Sequence, residues 1–354
     1  MKVLRTVLGD VPAEQSGLML SHEHLLYGYP GAELDPRAAL DYDAAVDFVA
    51  KQVRRGKEEH GYGTIVDMTP PEVGRYPKFM ADVAARTGMN VIAITGFFPE
   101  RMGIPYYWRR QTLEELTAFF VSDLTEGMVF AWHKTPYRAG AIKIATGQES
   151  VTPKPSPLGP NGRHIHEVED RVIRAAAHAA TRVGCAINTH IDPMDFDVTN
   201  PLREQLEILL EEGMDPGKVI LGHAFVPPQI GAMREVLDMG ANVQLDHIGI
   251  PWRISSAEEL DEAMAVALVE LLDAGYGDRI TMSFDRWFMN PRAGVTELDP
   301  QLLNEKVDLS YMFTSWVPRL KAKGVTDEQL HKIMVDNPRR IFSIEVPDPE
   351  PAAA

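Results

Sequence analysis

A closed (β/α)8 TIM barrel with a short N-terminal β cap is the fold the sequence predicts, and three observations point to it. Eight short β-branched or apolar runs recur along the chain, most followed by a turn and a longer amphipathic stretch. Parallel strands require helical crossovers, so a strand and a helix repeated eight times close most readily into a barrel. Polar side chains stand directly after several of these runs, as they do where barrel strands open onto a common mouth. A doubly wound open sheet is the alternative, but the sequence holds neither a Gly-x-Gly-x-x-Gly fingerprint nor a Walker A loop.

Taken in order, the first sixteen residues read as the β cap across the barrel's entry. Strands are expected at Gly17–Ser21, Thr64–Met68, Val91–Thr95, Ala141–Ile144, Ala186–Thr189, Val219–Gly222, Asn242–Leu245 and Ile280–Ser283. All are short apolar runs of the kind that form buried strands. Between them, Tyr42–Arg55, Thr112–Thr125, Glu167–Val183, Pro201–Glu212, Gln229–Met239 and Ala257–Ala274 carry helical spacing. Ser256 with Glu259 three residues on, and Thr326 with Glu328, are helix-start signals. Val151–Asn161, with four prolines, predicts a loop inserted after the fourth strand. No repeat or linker divides the chain, so residues 1–346 are expected to form one domain and 347–354 a disordered tail.

Composition narrows the partners. The formal net charge is -16, with 35 basic against 51 acidic residues, and the basic ones gather into short pairs but never into a patch, so nucleic acid and anionic membranes are not expected. Cys185 is the only cysteine, which rules out an internal disulfide; in its apolar run it reads as packing. Met1-Lys2-Val3-Leu4-Arg5 lacks the apolar core of a signal peptide, and no stretch nears the ~18 apolar residues of a membrane span. The cytoplasm is the expected compartment.

The chemistry gathers at the strand ends. His22 and His24 alternate on one strand and so share a face, while Glu23 points the other way and reads as structural. Later strands end in His190, His223 and Asp285, and Lys143 sits inside an otherwise apolar run. Any one of these is as readily a hydrogen-bonded core residue. Four histidines and an aspartate at corresponding positions of a repeating architecture are better explained as a ligand set for Zn²⁺ or a related ion. Lys143 snorkels or meets a carboxylate in the plainer reading. In the sharper one, burial favours its neutral amine, which reacts with carbon dioxide to give an anionic two-oxygen carbamate. A His-Glu-x-x-His zinc-protease motif is excluded, because Leu26 stands where its second histidine belongs.

With these residues assembled, the chain resembles the phosphotriesterase family of the amidohydrolase superfamily nearly end to end. The resemblance rests on Arg5-Thr6-Val7-Leu8-Gly9, His22-Glu23-His24-Leu25, Ile142-Lys143-Ile144-Ala145-Thr146, Thr189-His190, Gly222-His223 and Asp285. Val317-Pro318-Arg319-Leu320 and Asp336-Asn337-Pro338-Arg339-Arg340-Ile341-Phe342 extend it to the closing helices. It implies a binuclear metal centre with His22, His24 and Asp285 on the more buried ion and His190 and His223 on the more exposed one. Lys143, as a carbamate, would bridge them along with a hydroxide. Zinc is the expected metal, with cobalt, manganese and iron also compatible with these ligands.

Such a centre suits hydrolysis of a neutral electrophile, with Asp285 placed to take the hydroxide's proton. A lactone or carboxylic ester leads, because relatives of this type are often lactonases; an organophosphate triester comes second and an amide or carbamate third. A single-metal deaminase fits poorly with a bridging lysine. A metal-free binding barrel would be expected to have lost a ligand, and all six positions are filled. Asp246-His247 resembles a phosphotriesterase proton relay, although Val226 replaces the aspartate expected beyond His223. Phe97, Phe98, Tyr107, Trp108, Trp252 and Trp287 follow strands and suggest walls for a small, largely apolar substrate. Arg253, Arg286 and Arg292 stand near the same loops, and the remaining histidines read as surface or capping residues. A homodimer is implied by the resemblance alone.

Overall fold

Alternating side chains divide the chain between two apolar layers, and the barrel forms between them. The computed structural model describes residues 1–147, 162–251, 255–290 and 308–347. The predicted insertion at 151–161, Trp252, Arg253, Arg292 and nearly all of the predicted tail lie outside them.

After β1 (Lys2–Thr6) and β2 (Gly9–Pro12) the barrel opens with β3 (Leu18–His24), β4 (Tyr62–Asp67) and β5 (Asn90–Gly96). A two-residue hairpin, β6 (Val129–Phe130) and β7 (His133–Lys134), intervenes before β8 (Ala141–Ala145), β9 (Ala186–His190), β10 (Val219–Leu221) and β11 (Asn242–Leu245). The circuit ends in β12 (Ile280–Met282) and β13 (Arg286–Trp287), two halves of one interrupted strand. All neighbours are parallel: β12 pairs with β11, and β13 returns to β3 with Arg286 opposite Glu23 and Trp287 opposite His24. That last pairing closes the barrel.

Inside, Met19, Val66, Ile92, Ile94, Ala141, Ala186 and Ile220 form one buried cluster with Leu4, Ile341 and Phe342. Leu4 belongs to the cap, in which β1 pairs with β2 and with β14 (Ile344–Glu345), so the N-terminal end of the barrel is plugged with side chains. The residues between them in each strand, such as Leu20, Ile65, Ala93, Ile142 and Ile187, face the helices instead. Those helices are α1 (Tyr42–His60), α2 (Pro77–Thr87), α3 (Tyr106–Arg109), α4 (Leu113–Thr125), α5 (Glu167–Val183), α6 (Pro201–Glu211), α7 (Ile230–Asp238) and α8 (Ala257–Asp273). On α5 the buried face is largely alanine, which lets the helix lie close on its strand. Ser256 and Glu259 form the predicted capping box of α8, and His166 caps α5.

Some elements differ from expectation. α2 was not foreseen, and neither was the β6–β7 hairpin, whose turn places Ala131 and Trp132 at positive φ without glycine. Thr326 does cap its helix, but the reciprocal partner is Gln329 rather than Glu328. Among the described residues no helix is long and apolar enough to cross a membrane.

Candidate metal centre

A β-bulge sets the orientation of the two histidines on β3. Leu20 lies opposite Ile65 and Glu23 opposite Asp67, so three steps on β3 match two on β4. Because Met19 faces inward and Leu20 outward, unbroken alternation would send His22 and His24 to the helix side. The extra residue restores the phase and brings both to the mouth. On β8 no correction is needed: Ala141 is interior and Ile142 and Ile144 exterior, which leaves Lys143 inside. Gly96 makes this possible. It lies opposite Lys143 at φ +115°, and a Cβ there would fall 1.8 Å from the Lys143 carbonyl oxygen.

Three of the mouth residues sit in left-handed backbone. His223, His247 and Asp285, just beyond β10, β11 and β12, have φ of 57°, 62° and 56°. For residues with a Cβ this conformation costs roughly 1–2 kcal/mol each, and its repetition at adjacent strand ends marks a functional constraint. The turns aim the three side chains at one another. His223 Nδ1 is 3.0 Å from Asp246 Oδ1, His247 Nδ1 is 2.9 Å from the same oxygen, and His247 Nδ1 is 3.7 Å from Asp285 Oδ2.

Around this core the ring nitrogens are pre-assigned. His22 Nδ1–H donates to Gln244 Oε1 at 2.7 Å, and that oxygen also accepts from Asn188 while the Gln244 amide donates to Ser21. His24 Nδ1–H donates to Thr69 Oγ1 at 2.8 Å, and Thr69 in turn bonds Asp67. Both Nε2 lone pairs therefore face the mouth. His22 Nε2 lies 3.0 Å from Lys143 Nζ and 3.7 Å from Asp285 Oδ1, and His24 Nε2 lies 3.1 Å from that oxygen. Asp285 Oδ1 is buried and makes no hydrogen bond. Lone pairs thus converge on a carboxylate oxygen to which nothing donates a hydrogen bond, and the Lys143 ammonium meets only His22 Nε2, so a bound cation would satisfy the cluster. Tetrahedral ligands at zinc distances stand about 3.4 Å apart, close to the spacings seen here. Ligand atoms of His22, His223 and Asp285 also fall within 4.8 Å of one another. The residues present fit a bound metal.

Electrostatics agree with this reading. Burial, then the Lys143 charge, holds His22 well below its ordinary pKa; burial and neighbouring cations do the same for His190. Both are neutral, as ligands must be. Burial also lowers Lys143, to about 8, against the pull of Asp285 and Asp246. Burial alone would raise Asp285, but the imidazoles around it, His22 foremost, keep it well below the usual carboxylate range. For His247, burial opposes the charge, yet the Asp246 hydrogen bond and the Asp285 charge prevail and its pKa is raised.

Of the residues proposed from sequence, the structure gathers His22, His24, Lys143, His190, His223, His247 and Asp285. His190 stands edge-on to His223, with ring centroids 4.5 Å apart. Val226, where the family's aspartate is missing, is buried apolar packing, and the carboxylate that meets His247 is Asp246. Glu23 lies away from the mouth as anticipated, accepting from Ser283 Oγ and from the Phe284 and Arg286 amides.

The aromatic walls divide. Phe98 lies 4.7 Å from His190, and Trp287 stacks at 3.7 Å on Tyr27, which meets His24 edge-on. Phe97 is a correction. It is 1% exposed and shares the outward phase of Ala93, packing on Phe119 and Phe120 of α4. Trp108 stacks on Phe119 at 4.2 Å and joins the same layer, while Tyr107 is 65% exposed. Arg286 donates to Gln52 rather than facing the mouth. Sequence reasoning passed over Gln244, Thr69, Tyr27, Glu72, Arg101 and Asp192. Gln244 had a signal: Asn242, Gln244 and Asp246 are alternate polar residues between the apolar Val243 and Leu245.

Comparison with known proteins converges on one family. A model described as the phosphotriesterase family matches residues 2–342. The chain is 30% identical to a phosphotriesterase homology protein of Mycobacterium tuberculosis over 97% of this chain and 98% of that one. It is 29% identical to an aryldialkylphosphatase of Saccharolobus solfataricus, covering 94% and 97%. A solved structure of a PTE-like lactonase variant from Deinococcus radiodurans superposes with a TM-score of 0.81 at 28% identity, covering 96% and 99%.

Proposed function

The chain belongs to the phosphotriesterase family and is therefore a metal-dependent hydrolase, and on that premise we propose a binuclear centre acting on lactones or carboxylic esters. One observation carries the metal assignment: the partnerless Asp285 Oδ1, buried among the His22 and His24 lone pairs. His22, His24 and Asp285 would hold one ion, His190 and His223 the other, with Lys143 between them. Zinc suits the imidazole-rich set. Divalent ions bound there supply Lewis acidity, which lowers the pKa of water and polarises the substrate's oxygen.

The chain's own groups do the rest. Burial brings Lys143 to about 8, so much of its amine is neutral near that pH. The neutral amine adds to carbon dioxide, forming an N–C bond and releasing one proton, and the resulting carbamate replaces a repelling charge with an attracting one. Asp285 is placed to accept a proton as the nucleophile attacks. His247, 3.7 Å from Asp285 and hydrogen-bonded to Asp246, is placed to pass that proton outward. Asp246 also orients His223, so one carboxylate positions both rings. Phe98 and Trp287 border an entrance suited to a small molecule with a neutral reacting group.

The resemblance to a PTE-like lactonase supports lactones as the first class. A second reading, organophosphate triester hydrolysis, draws support from the His247–Asp246 pair and from the aryldialkylphosphatase relative.

Metal analysis together with a hydrolysis panel tests the proposal. Two divalent ions per chain are expected, with lactones or aryl esters turned over faster than phosphotriesters. Lys143→Ala should lose most activity and recover part of it with a small carboxylic acid. One ion per chain, or an alanine variant of full activity, would overturn the bridged centre. A phosphotriester preference would reverse the substrate order.

A further inference from the structure

The loop after β5 is held at the mouth by carboxylates from three other segments: Glu72 beyond β4, Glu169 in the first turn of α5 and Asp192 beyond β9. Glu72 accepts from the Phe98 amide, Glu169 accepts from the Glu100 amide, and Asp192 forms an ion pair with Arg101 at 3.2 Å. Asp192 is itself fixed: it is buried two residues beyond His190 and packs against Gly147, where a Cβ would come within 2.9 Å of its own. Arg101 is thereby pinned at the rim beside His190. Its charge is felt by both His190 and Tyr27, which lie on the β9 and β3 sides of the mouth.

The guanidinium is held but not enclosed: its side chain is 19% exposed, and an Nη nitrogen lies 3.2 Å from Asp192 Oδ2. The exposed edge of such a planar fork is matched to an oxyanion, and a guanidinium held in place loses little freedom on binding one.

We propose that Arg101 is a specificity-determining residue, binding a carboxylate or phosphate that the substrate carries away from the neutral group being hydrolysed. This deepens the hydrolase reading and rests on it. The substrate is then a small molecule of mixed character, with a lactone or ester at the metal end and an oxyanion at the Arg101 rim.

Matched aryl esters test it on the metal-loaded protein, one ester carrying a carboxylate on its acyl portion, a second a phosphate and the third a neutral carboxamide. The wild-type chain should favour one of the anionic members. Arg101→Gln should raise KM for that member roughly 10- to 100-fold, with kcat little changed and the carboxamide ester unaffected. Arg101→Lys, which keeps the charge and loses the fork, should fall between. Which anionic ester responds separates carboxylate from phosphate. Equal effects on all three esters, or none, would overturn the proposal. Should Arg101→Gln fail to fold, competition in the wild-type chain decides: benzoate or phenyl phosphate must inhibit more strongly than benzamide, and parity would overturn it. Loss of metal-dependent hydrolysis of all three esters by the wild-type chain would count against the ester reading itself. Calorimetric titration with benzoate and phenyl phosphate would still report on Arg101.

Discussion

Glu23→Ala should destabilise the protein by about 3–5 kcal/mol and empty the metal centre, although Glu23 never faces the mouth. The carboxylate is fully buried and accepts from Ser283 Oγ at 2.6 Å, Phe284 N at 2.9 Å and Arg286 N at 2.8 Å. Alanine leaves all three donors without an acceptor, at about 1–3 kcal/mol each. Water entering the vacated space offsets part of that, which brings the sum of about 3–9 kcal/mol down toward its lower half. Two of the donors flank Asp285, and they lie on the seam where β13 returns to β3. The same change therefore loosens barrel closure and the left-handed turn that aims Asp285. Glu23→Gln keeps an acceptor for Ser283 and Phe284 but sets an amide NH2 against the Arg286 N–H, so about half the loss is expected. Urea unfolding of metal-free protein gives the stability change, and elemental analysis gives the metal content. A loss under about 1 kcal/mol, or a full metal complement in the alanine variant, would refute the claim that this carboxylate holds the seam.

Further outcomes are as specific. His247→Asn should lower kcat by roughly 10- to 100-fold while leaving metal content intact; a parallel loss of metal would instead assign His247 to coordination. Gly96→Ala should destabilise by at least about 3 kcal/mol, because positive φ and the Lys143 carbonyl both exclude a Cβ, and thermal melts read this directly. Cys185, fully buried and with its thiol pushed up to about 12 by that burial, should resist thiol reagents at pH 8 until the chain is unfolded. Zinc uptake by metal-free protein at fixed dissolved carbon dioxide should quicken about tenfold per pH unit from 6 to 7 and level off above 8, as the neutral fraction of Lys143 grows and saturates. A flat profile, or the same profile in Lys143→Ala, would detach the carbamate from metal uptake.

Much of this protein could be read in one dimension. The barrel strands announce themselves because burial on two faces demands short apolar runs, and the ligand candidates because imidazoles are rare in such settings. What could not be read has physical causes. The β3 bulge follows from pairing with β4, so nothing local predicts that His22 leaves the phase of Leu20. Phe97 and Phe98 are adjacent and alike, and only the inward phase of Ile94 separates a packing ring from one beside His190. Arg101 and Asp192 are 91 residues apart and meet only once the barrel closes. Asp246 meets His223 as well as its neighbour His247, a contact across 23 residues that sequence spacing does not express.

The three left-handed strand ends bear on how this protein would respond to selection for robustness. At positions 223, 247 and 285 glycine or asparagine would relax the backbone. A screen that rewards thermal survival alone is therefore drawn to the substitutions that remove His223, His247 or Asp285. Directed evolution of this scaffold should hold those three positions fixed and seek its gains elsewhere, for the backbone tension there is the geometry the mouth is made of.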